Sequence, residues 1–301
     1  MEAQAPLKRE RLTARARLFP AHRPPFPARH RLRPRARRGG ASSLTACAGG
    51  KELKVATFNI HAGRDDADNY DLDRIAEAIE DLDVDAIALQ EVDNNFDERS
   101  DFDDQAKELA DKLDMHYTFG ANEPKDVGGE EGLDEEGYGL AILSKMKIKD
   151  SENTHLPFDV NGKTSSEENP KPEQRGLLRA TVKWNGEKVD LYSTHWEHKW
   201  DSLRERQADA AATAIAKRDM PSIVMGDLNA EPDDVAVNAL LGGAVIKDAL
   251  QTLEVEDPTN DKGQHIDYVL YSEAFAPVDG GPVVNDASDH YPVAVTFKSA
   301  D

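Results

Sequence analysis

Apolar runs of strand length that each meet polar residues at one end are the feature that most constrains this chain. Two of these runs lie late in the sequence: 222–225 leads into Gly226-Asp227-Leu228-Asn229, and Ser288-Asp289-His290-Tyr291-Pro292 precedes 293–297. Earlier runs lead to Asn59, to Gln90-Glu91 and to His195, and Asp267 opens another. Because a rigid sheet holds the residues at its strand ends while the adjoining loops expose them, the pattern predicts one convergent site.

Segments with helical spacing lie between the strand-like runs. Apolar residues recur every three or four positions across 71–80, 104–113, 203–216 and 235–241, which predicts helices there. Asn185-Gly186 joins the runs 177–184 and 188–194 and predicts a β-hairpin. The polar stretches 122–137 and 161–174 are expected to be loops. With no internal repeat and no linker after residue 50, residues 51–301 are expected to form one α/β domain with mixed sheets and helices outside.

The charge of the chain divides near residue 50. The formal net charge is −21, but residues 1–50 carry about +10 and residues 51–301 about −31. An acidic surface repels long polyanions, so the second part is not expected to be a dedicated nucleic-acid binder. Cys47 is the only cysteine, which excludes an intramolecular disulfide and a Cys/His zinc cluster. No run of about 18 apolar residues is present, so no transmembrane helix is expected.

The segment 1–50 is rich in Arg, Pro and Ala and is expected to be disordered. It could serve as a nucleic-acid arm or as a transit peptide, which is also Arg-rich and acid-poor. Leu44-Thr45-Ala46-Cys47 resembles the lipobox of bacterial lipoproteins but lacks the apolar stretch that should precede it. The alternative is a linker of small residues with an incidental cysteine. Localisation therefore stays open between an exported or lipid-anchored protein and a cytoplasmic one.

The polar residues at the strand ends suit a hard cation. Carboxylates and amides provide oxygen ligands, which Mg²⁺, Mn²⁺ and Ca²⁺ prefer and zinc does not. Two histidines, His195 and His290, accompany them, and no nucleophilic Ser or Cys does. This combination points to metal-assisted attack of water on phosphorus. An aspartate beside a histidine, such as Asp267 beside His290, would fix the tautomer of the ring and favour its charged form.

The same motifs occur in the order found in the endonuclease/exonuclease/phosphatase superfamily. They are Thr57-Phe58-Asn59, Leu89-Gln90-Glu91, Tyr138-Gly139-Leu140-Ala141-Ile142-Leu143-Ser144, Gln174-Arg175-Gly176, Ser193-Thr194-His195, Gly226-Asp227-Leu228-Asn229, Ile266-Asp267-Tyr268 and Ser288-Asp289-His290-Tyr291-Pro292. The chain resembles that superfamily over roughly residues 54–298. The resemblance implies the DNase I-like fold, a four-layer α/β sandwich with two central mixed β-sheets flanked by helices.

The resemblance also implies roles for the polar residues. Glu91 is the expected main Mg²⁺ ligand, with Asn59 and Asp289 as further ligands, and Mn²⁺ and Ca²⁺ are the alternative ions. Asp227 would align or deprotonate the attacking water, and Asn229 would hydrogen-bond the phosphate or the water. His290, oriented by Asp267, would stabilise the pentavalent phosphorane. His195 would contact a phosphate oxygen or serve as general acid.

Arg175 and Tyr138 are the candidate substrate-binding residues. Arg175 suits phosphate recognition, with a solvated surface charge as the alternative reading. Tyr138 either contacts the substrate or packs in the core. Leu140, where the family often has Asn, and the segment 196–200 depart from the family pattern, which leaves the substrate contacts open.

A Mg²⁺-dependent phosphoester hydrolase is therefore expected, with a phosphodiester of a lipid or small molecule as substrate. Histidine at position 195 resembles the DNase I, sphingomyelinase and inositol-phosphatase branches more than the abasic-site endonucleases. A nuclease of the DNase or RNase type is one alternative. A catalytically inactive binding module on the same fold is the other. No dimer seam is apparent, so a monomer is expected.

Overall fold

The structure, a computed structural model, describes residues 51–124, 136–159 and 171–300. The segment 1–50, with Cys47 and its lipobox-like sequence, lies outside the described residues, as do most of the predicted loops 122–137 and 161–174. The division of the chain near residue 50 therefore stays a prediction. None of the helices in the described part of the chain is long and apolar enough to cross a membrane.

Two six-stranded sheets contain all the strands named here. In chain order these strands are β1 (Leu53–Asn59), β2 (Ala86–Asn94), β3 (His116–Pro124), β4 (Gly137–Ser144), β5 (Asp150–His155), β6 (Gly176–Trp184), β7 (Glu187–His195), β8 (Ser222–Asp227), β9 (Lys247–Asp248), β10 (Asp267–Tyr271), β11 (Phe275–Pro282) and β12 (Val293–Ser299). The first sheet has the order β11-β12-β1-β2-β4-β3, and the second has the order β5-β6-β7-β8-β10-β9. Both are mixed, because β1 pairs with β2 and β7 pairs with β8 in parallel while the other pairs are antiparallel.

Among the described residues, four helices cover the outer faces of the two sheets, and a short fifth helix packs against the apolar layer between them. They are α1 (Leu72–Leu82), α2 (Gln105–Leu113), α3 (Asp201–Arg218), α4 (Val235–Ala244) and the short α5 (Ala249–Thr252). One apolar cluster fills the space between the sheets, a second joins the first sheet to α1 and α2, and a third joins the second sheet to α3 and α4. These layers confirm the predicted four-layer α/β sandwich.

Helix α1 shows why the local sequence folds as predicted. Its buried residues Leu72, Ile75 and Ile79 recur at the spacing of one helical face. Asp71 caps the start, where its side chain accepts a hydrogen bond from the backbone N–H of Arg74. Asp83 ends the helix in the left-handed conformation, with φ of 46°. The chain then enters β2 at Ala86.

The predicted hairpin is confirmed. Strands β6 and β7 pair in register up to Trp184 and Glu187, and Asn185 and Gly186 both have positive φ values, of 49° and 92°. Positive φ at both central positions is what a type I′ turn requires.

Four of the described strands were not predicted, and each lies at the edge of a sheet: β3, β5, β11 and the two-residue β9. Strand β5 is polar and exposed along most of its length, so no alternation of apolar residues marks it. Strand β11 contains Pro277, Gly280 and Gly281, which usually argue against a strand, but Pro is tolerated at a sheet edge. Strand β3 reaches into the predicted loop 122–137, which therefore begins later than expected.

Candidate active site

The carboxyl ends of the two parallel strand pairs meet across the sheets. Asn59 ends β1 and His195 ends β7, while Asp227 ends β8 directly opposite Asp267 at the start of β10. The Nδ2 of Asn59 donates to Oε1 of Glu91 and to Oδ2 of Asp227, at 3.1 Å in each case. One amide of the first sheet therefore contacts a carboxylate from each sheet. The predicted convergence of these residues is observed, whereas their individual roles stay predictions.

Glu91 projects from a β-bulge. The register between β2 and β4 shifts between Leu89 and Val92, and Glu91 itself has φ of 55°. A glutamate in the left-handed region costs on the order of 1 kcal/mol, so the surrounding sheet must hold it there. The bulge takes Glu91 out of the regular alternation of the strand, and its side chain lines a cavity. Nothing in the local sequence indicated this bulge.

His290 is held by a buried carboxylate. Its Nδ1 lies 2.9 Å from Oδ2 and 3.1 Å from Oδ1 of Asp267, which is fully buried and also accepts a hydrogen bond from Thr259 at 2.7 Å. Burial opposes a charge on the ring, but the negative charges of Asp267 and Asp227 outweigh it and raise the pKa of His290 to about 10. His290 is therefore an imidazolium with its Nε2 3.7 Å from Oδ2 of Asp227.

His195 has the opposite kind of partner. Its Nδ1 lies 3.0 Å from Nη1 of Arg175, and both side chains are buried. A guanidinium can only donate, so Nδ1 must accept, and the ring proton must sit on Nε2. Burial and the positive charge of Arg175 lower the pKa of His195 well below its usual range. His195 is therefore neutral, and its Nε2–H lies 3.5 Å from Oδ2 of Asp227.

Asp227 lies between the two histidines. Its Oδ1 accepts the backbone N–H of Asn229 at 2.9 Å, while its Oδ2 is surrounded by Asn59, His195 and His290. Burial raises the pKa of Asp227 to about 6, although the charge of His290 opposes the rise. A carboxylate with this pKa is still ionised at neutral pH but is more basic than an exposed aspartate, which suits a general base.

The cavity beside these residues has a volume of about 390 Å³. Asn229 lines it, with its Nδ2 bound to the backbone oxygen of Trp196 at 3.0 Å. Both predicted substrate-binding residues line it as well: Tyr138 is buried beneath Phe96, and Arg175 lies beside His195. Sequence reasoning did not assign several other lining residues to the site, namely His61, Arg64, Phe96, Arg99, Glu123, Glu173, His198 and Lys262.

The predicted metal ligands offer oxygen atoms of the kind that a hard cation prefers. Glu91 and Asp289 both line the cavity. Within the described ranges, Oδ1 of Asn59 accepts only the backbone N–H of His61, at 3.1 Å, which leaves a second lone pair. Asp289 pairs with Lys262 at 3.3 Å and lies 3.9 Å from His61. His290, His61 and Lys262 lower the pKa of Asp289 against the opposing effect of burial, so the carboxylate is ionised.

A second group could in principle hold a metal, because ligand atoms of Asp227, Asp267 and His290 lie within 4.8 Å of one another. The oxygens of Asp267 already accept hydrogen bonds from His290 and Thr259. An imidazolium has no lone pair for a metal. These hydrogen bonds and the charge on His290 favour an acid–base role for this group, and Glu91, Asn59 and Asp289 stay the predicted metal ligands.

The sequence model of the Endonuclease/Exonuclease/phosphatase family matches residues 56–290. The chain belongs to this family. The matched range runs from β1 to His290 and so includes every predicted site residue. Members of the family hydrolyse phosphoester bonds and generally depend on a divalent metal, so this chain is a phosphoester hydrolase. No curated protein matches the chain.

Solved structures share the fold at low sequence identity. An endonuclease/exonuclease/phosphatase from Beutenbergia cavernae is 24% identical with a TM-score of 0.66, and the match covers 83% of this chain and 72% of that one. A mannosyl-6-phosphatase from Bacteroides thetaiotaomicron is 17% identical with a TM-score of 0.61, covering 81% and 99%. The human nocturnin catalytic domain with bound sulfate is 21% identical with a TM-score of 0.62, covering 83% and 95%. These likenesses show the fold alone.

Proposed function

We propose that this chain is a Mg²⁺-dependent hydrolase of small phosphoesters, with a phosphodiester of a small molecule or lipid headgroup as the expected substrate. The observation that carries the proposal is the placement of Asp227 between a neutral histidine and a charged one. A base and two different N–H donors then face one position, which is what attack of water on a phosphate requires.

Glu91, Asn59 and Asp289 would hold the Mg²⁺ ion. When bound, the ion neutralises charge on the phosphate and so lowers the cost of bringing a nucleophile to phosphorus. Glu91 is directed to this position by its bulge, and Asn59 keeps it there through its hydrogen bond.

Asp227 orients the attacking water and accepts its proton. Its raised pKa makes the transfer less unfavourable than it would be to an exposed carboxylate. The backbone N–H of Asn229 and the amide of Asn59 fix the two carboxylate oxygens, so the base does not have to be ordered at the moment of reaction.

The two histidines contact the phosphate differently. His290 brings a positive charge to the oxygens on which negative charge develops, and Asp267 holds that charge in place. His195 donates a neutral hydrogen bond from Nε2. Its protonation state favours the phosphate-contact role over that of a general acid, because a neutral imidazole is a very weak acid.

Size and charge support a small substrate. A cavity of about 390 Å³ holds a small molecule, and Phe96 and Tyr138 are the large apolar side chains on its described walls. A lipid would therefore place its headgroup in the cavity and leave its chains outside. The excess of acids in residues 51–301 weighs against tight binding of a nucleic acid.

Hydrolysis of a substrate panel by the full chain tests the proposal. The panel contains bis-p-nitrophenyl phosphate, p-nitrophenyl phosphate, sphingomyelin, phosphatidylinositol, plasmid DNA and RNA, each with Mg²⁺ and with EDTA. His290→Gln is the test variant, and His116→Gln at an exposed position is its control. We expect EDTA-sensitive cleavage that only His290→Gln abolishes, fastest on a small phosphoester. Cleavage of DNA or RNA alone would favour a nuclease, and no cleavage together with no Mg²⁺ binding would favour an inactive binding module.

A further inference from the structure

The cavity extends beyond the catalytic residues to side chains that take no part in the proposed chemistry. We name these residues the outer subsite. They are Phe96, Arg99, Glu123, Tyr138 and Glu173. Glu91 lines the same cavity, so the outer subsite and this candidate metal ligand share one space.

Arg99 is fixed in the outer subsite by a fully buried carboxylate. Its Nε and Nη2 donate to the two oxygens of Asp93 at 2.9 and 2.8 Å, and Ser100 donates to the same carboxylate at 2.8 Å. The guanidinium carbon lies 5.3 Å from the ring centre of Tyr138 and 5.8 Å from that of Phe96. Nη1 has no hydrogen-bond partner among the described residues, so rigidly placed N–H donors remain for a ligand.

Acceptors lie beside these donors. One oxygen of Glu123 accepts the backbone N–H of Gln174 at 3.1 Å, and one oxygen of Glu173 forms an ion pair with Nη2 of Arg175 at 2.9 Å. The other oxygen of each carboxylate has no partner in the part of the chain that the structure describes. The hydroxyl of Tyr138 has none there either, and burial raises its pKa well above the usual value, so it stays a neutral hydroxyl that can donate and accept.

The charges of the outer subsite oppose a second anionic group. Asp93 compensates Arg99, and Glu173 compensates Arg175. Glu123 has no cationic partner among the described residues, so the balance is negative. A second phosphate or a carboxylate on the ligand would be repelled. A ligand with neutral hydroxyl groups would instead find both donors and acceptors, and its C–H face could pack on the aromatic rings.

We propose that the outer subsite binds the neutral, polyhydroxylated alcohol of a phosphoester, as in a sugar or polyol phosphate. The inference rests on the proposed function, because the phosphate of the same molecule must reach Asp227 and the candidate metal ligands. The same chemistry exists on a free sugar phosphate and on the inositol headgroup of a lipid.

Matched substrates test the proposal. Glucose 6-phosphate is compared with cyclohexylmethyl phosphate, which keeps the ring and the primary phosphoester but has no hydroxyl groups, and with glucose 1,6-bisphosphate, which adds an anion. Phosphatidylinositol vesicles are compared with phosphatidylethanol vesicles for the lipid source. The two pairs are glucose 6-phosphate with cyclohexylmethyl phosphate, and phosphatidylinositol with phosphatidylethanol. In at least one of them, the preferred pair, kcat/KM should be at least about tenfold higher for the hydroxylated member, because several hydrogen bonds are gained. The bisphosphate should be hydrolysed more slowly than glucose 6-phosphate.

Substitutions in the outer subsite test whether its side chains cause the preference for hydroxylated substrates. Glu123→Gln and Tyr138→Phe remove ligand contacts without leaving a buried charge unpaired, unlike a substitution of Arg99. Each should lower the preference for the hydroxylated member of the preferred pair by about fivefold, with Glu77→Gln on the exposed face of α1 as control. Circular dichroism confirms that the variants fold.

The possible results separate the two proposals. Three results would overturn the outer subsite while bis-p-nitrophenyl phosphate or p-nitrophenyl phosphate is still hydrolysed. They are equal rates on hydroxylated and hydroxyl-free substrates, a preference for the bisphosphate, and an equal fall on both members of the preferred pair in the variants. Failure to hydrolyse any phosphoester would overturn the proposed function, and the outer subsite with it.

Discussion

The two histidines beside Asp227 are the same residue type in opposite electrical states. His290 faces Asp267 through Nδ1 and is charged, whereas His195 faces Arg175 through Nδ1 and is neutral. Both are buried, and both direct Nε2 towards the same carboxylate oxygen. Burial favours the neutral form of both rings. The carboxylates of Asp267 and Asp227 outweigh it at His290, whereas the charge of Arg175 adds to it at His195. In the proposed function, His290 would bring positive charge to the phosphate and His195 would donate a hydrogen bond of fixed direction.

Removal of the shared carboxylate should have the largest effect. Asp227→Asn keeps the shape of the side chain but cannot accept a proton, so we expect kcat to fall by about 10³- to 10⁴-fold. Asp81→Asn on the exposed face of α1 is the control. Steady-state kinetics on the best panel substrate measure the effect. A loss below tenfold would show that another group is the base.

The charged side of the comparison is tested by Asp267→Asn. The amide can still accept a hydrogen bond from Nδ1 of His290 but no longer stabilises its charge, so we expect kcat to fall by about 10²-fold or more. The pKa of His290, followed by NMR, should fall in parallel. If His290 stays charged in the variant, Asp267 does not set its state.

Arg175→Lys tests the neutral side and should have a smaller effect. Lysine keeps a positive charge but is a less rigid donor, so part of the His195 population should move its proton to Nδ1. We expect kcat/KM to fall by roughly tenfold, the cost of one misdirected hydrogen bond to a charged group. The ¹⁵N shifts of the His195 ring report the tautomer, and Arg206→Lys on α3 is the control. An unchanged tautomer with the same loss of activity would indicate a direct phosphate contact instead.

The pH dependence of stability should show the smallest effect. His195 has a lower pKa in the folded state than in the unfolded state, so the unfolded chain binds more protons below about pH 6.5. Stability from this group is present above that pH and is lost as the pH falls, by at most ~1.4 kcal/mol per pH unit. Urea unfolding between about pH 5 and 6.5 should therefore have a shallower pH slope in His195→Gln than in the wild type or in His116→Gln. Equal slopes in all three would mean that His195 is charged in the folded protein.

The sequence predicted the parts of the fold that bury apolar residues. Strand β8 contains a continuous buried apolar run, and α1 has apolar residues at helical spacing. The resemblance to the family implied the sandwich and the roles of the residues at the strand ends. The edge strands β5 and β11 were missed because they bury little, and so leave no pattern to read.

The site was predicted less completely for a different reason. Arg99 lines the cavity and is held there by the buried carboxylate of Asp93. In the sequence, Asp93 is one more acid that follows Glu91 in β2, and nothing marks it as the partner of Arg99. The role of Arg175 as a phosphate contact stays a prediction, and the sequence did not indicate that its side chain also contacts His195 and Glu173. Such pairings depend on which side chains meet across the sheets, and periodicity within one segment does not contain that information.

The hydrogen bond between Asn59 and Asp227 crosses from one sheet to the other, and Gln90 makes a parallel contact with Ser193 at 3.1 Å. Each sheet on its own therefore contains only a fraction of the catalytic groups. A folding intermediate with two formed but undocked sheets would have nearly full secondary structure and no turnover. The return of activity during refolding would then time the docking step itself, which spectroscopic probes of secondary structure would miss.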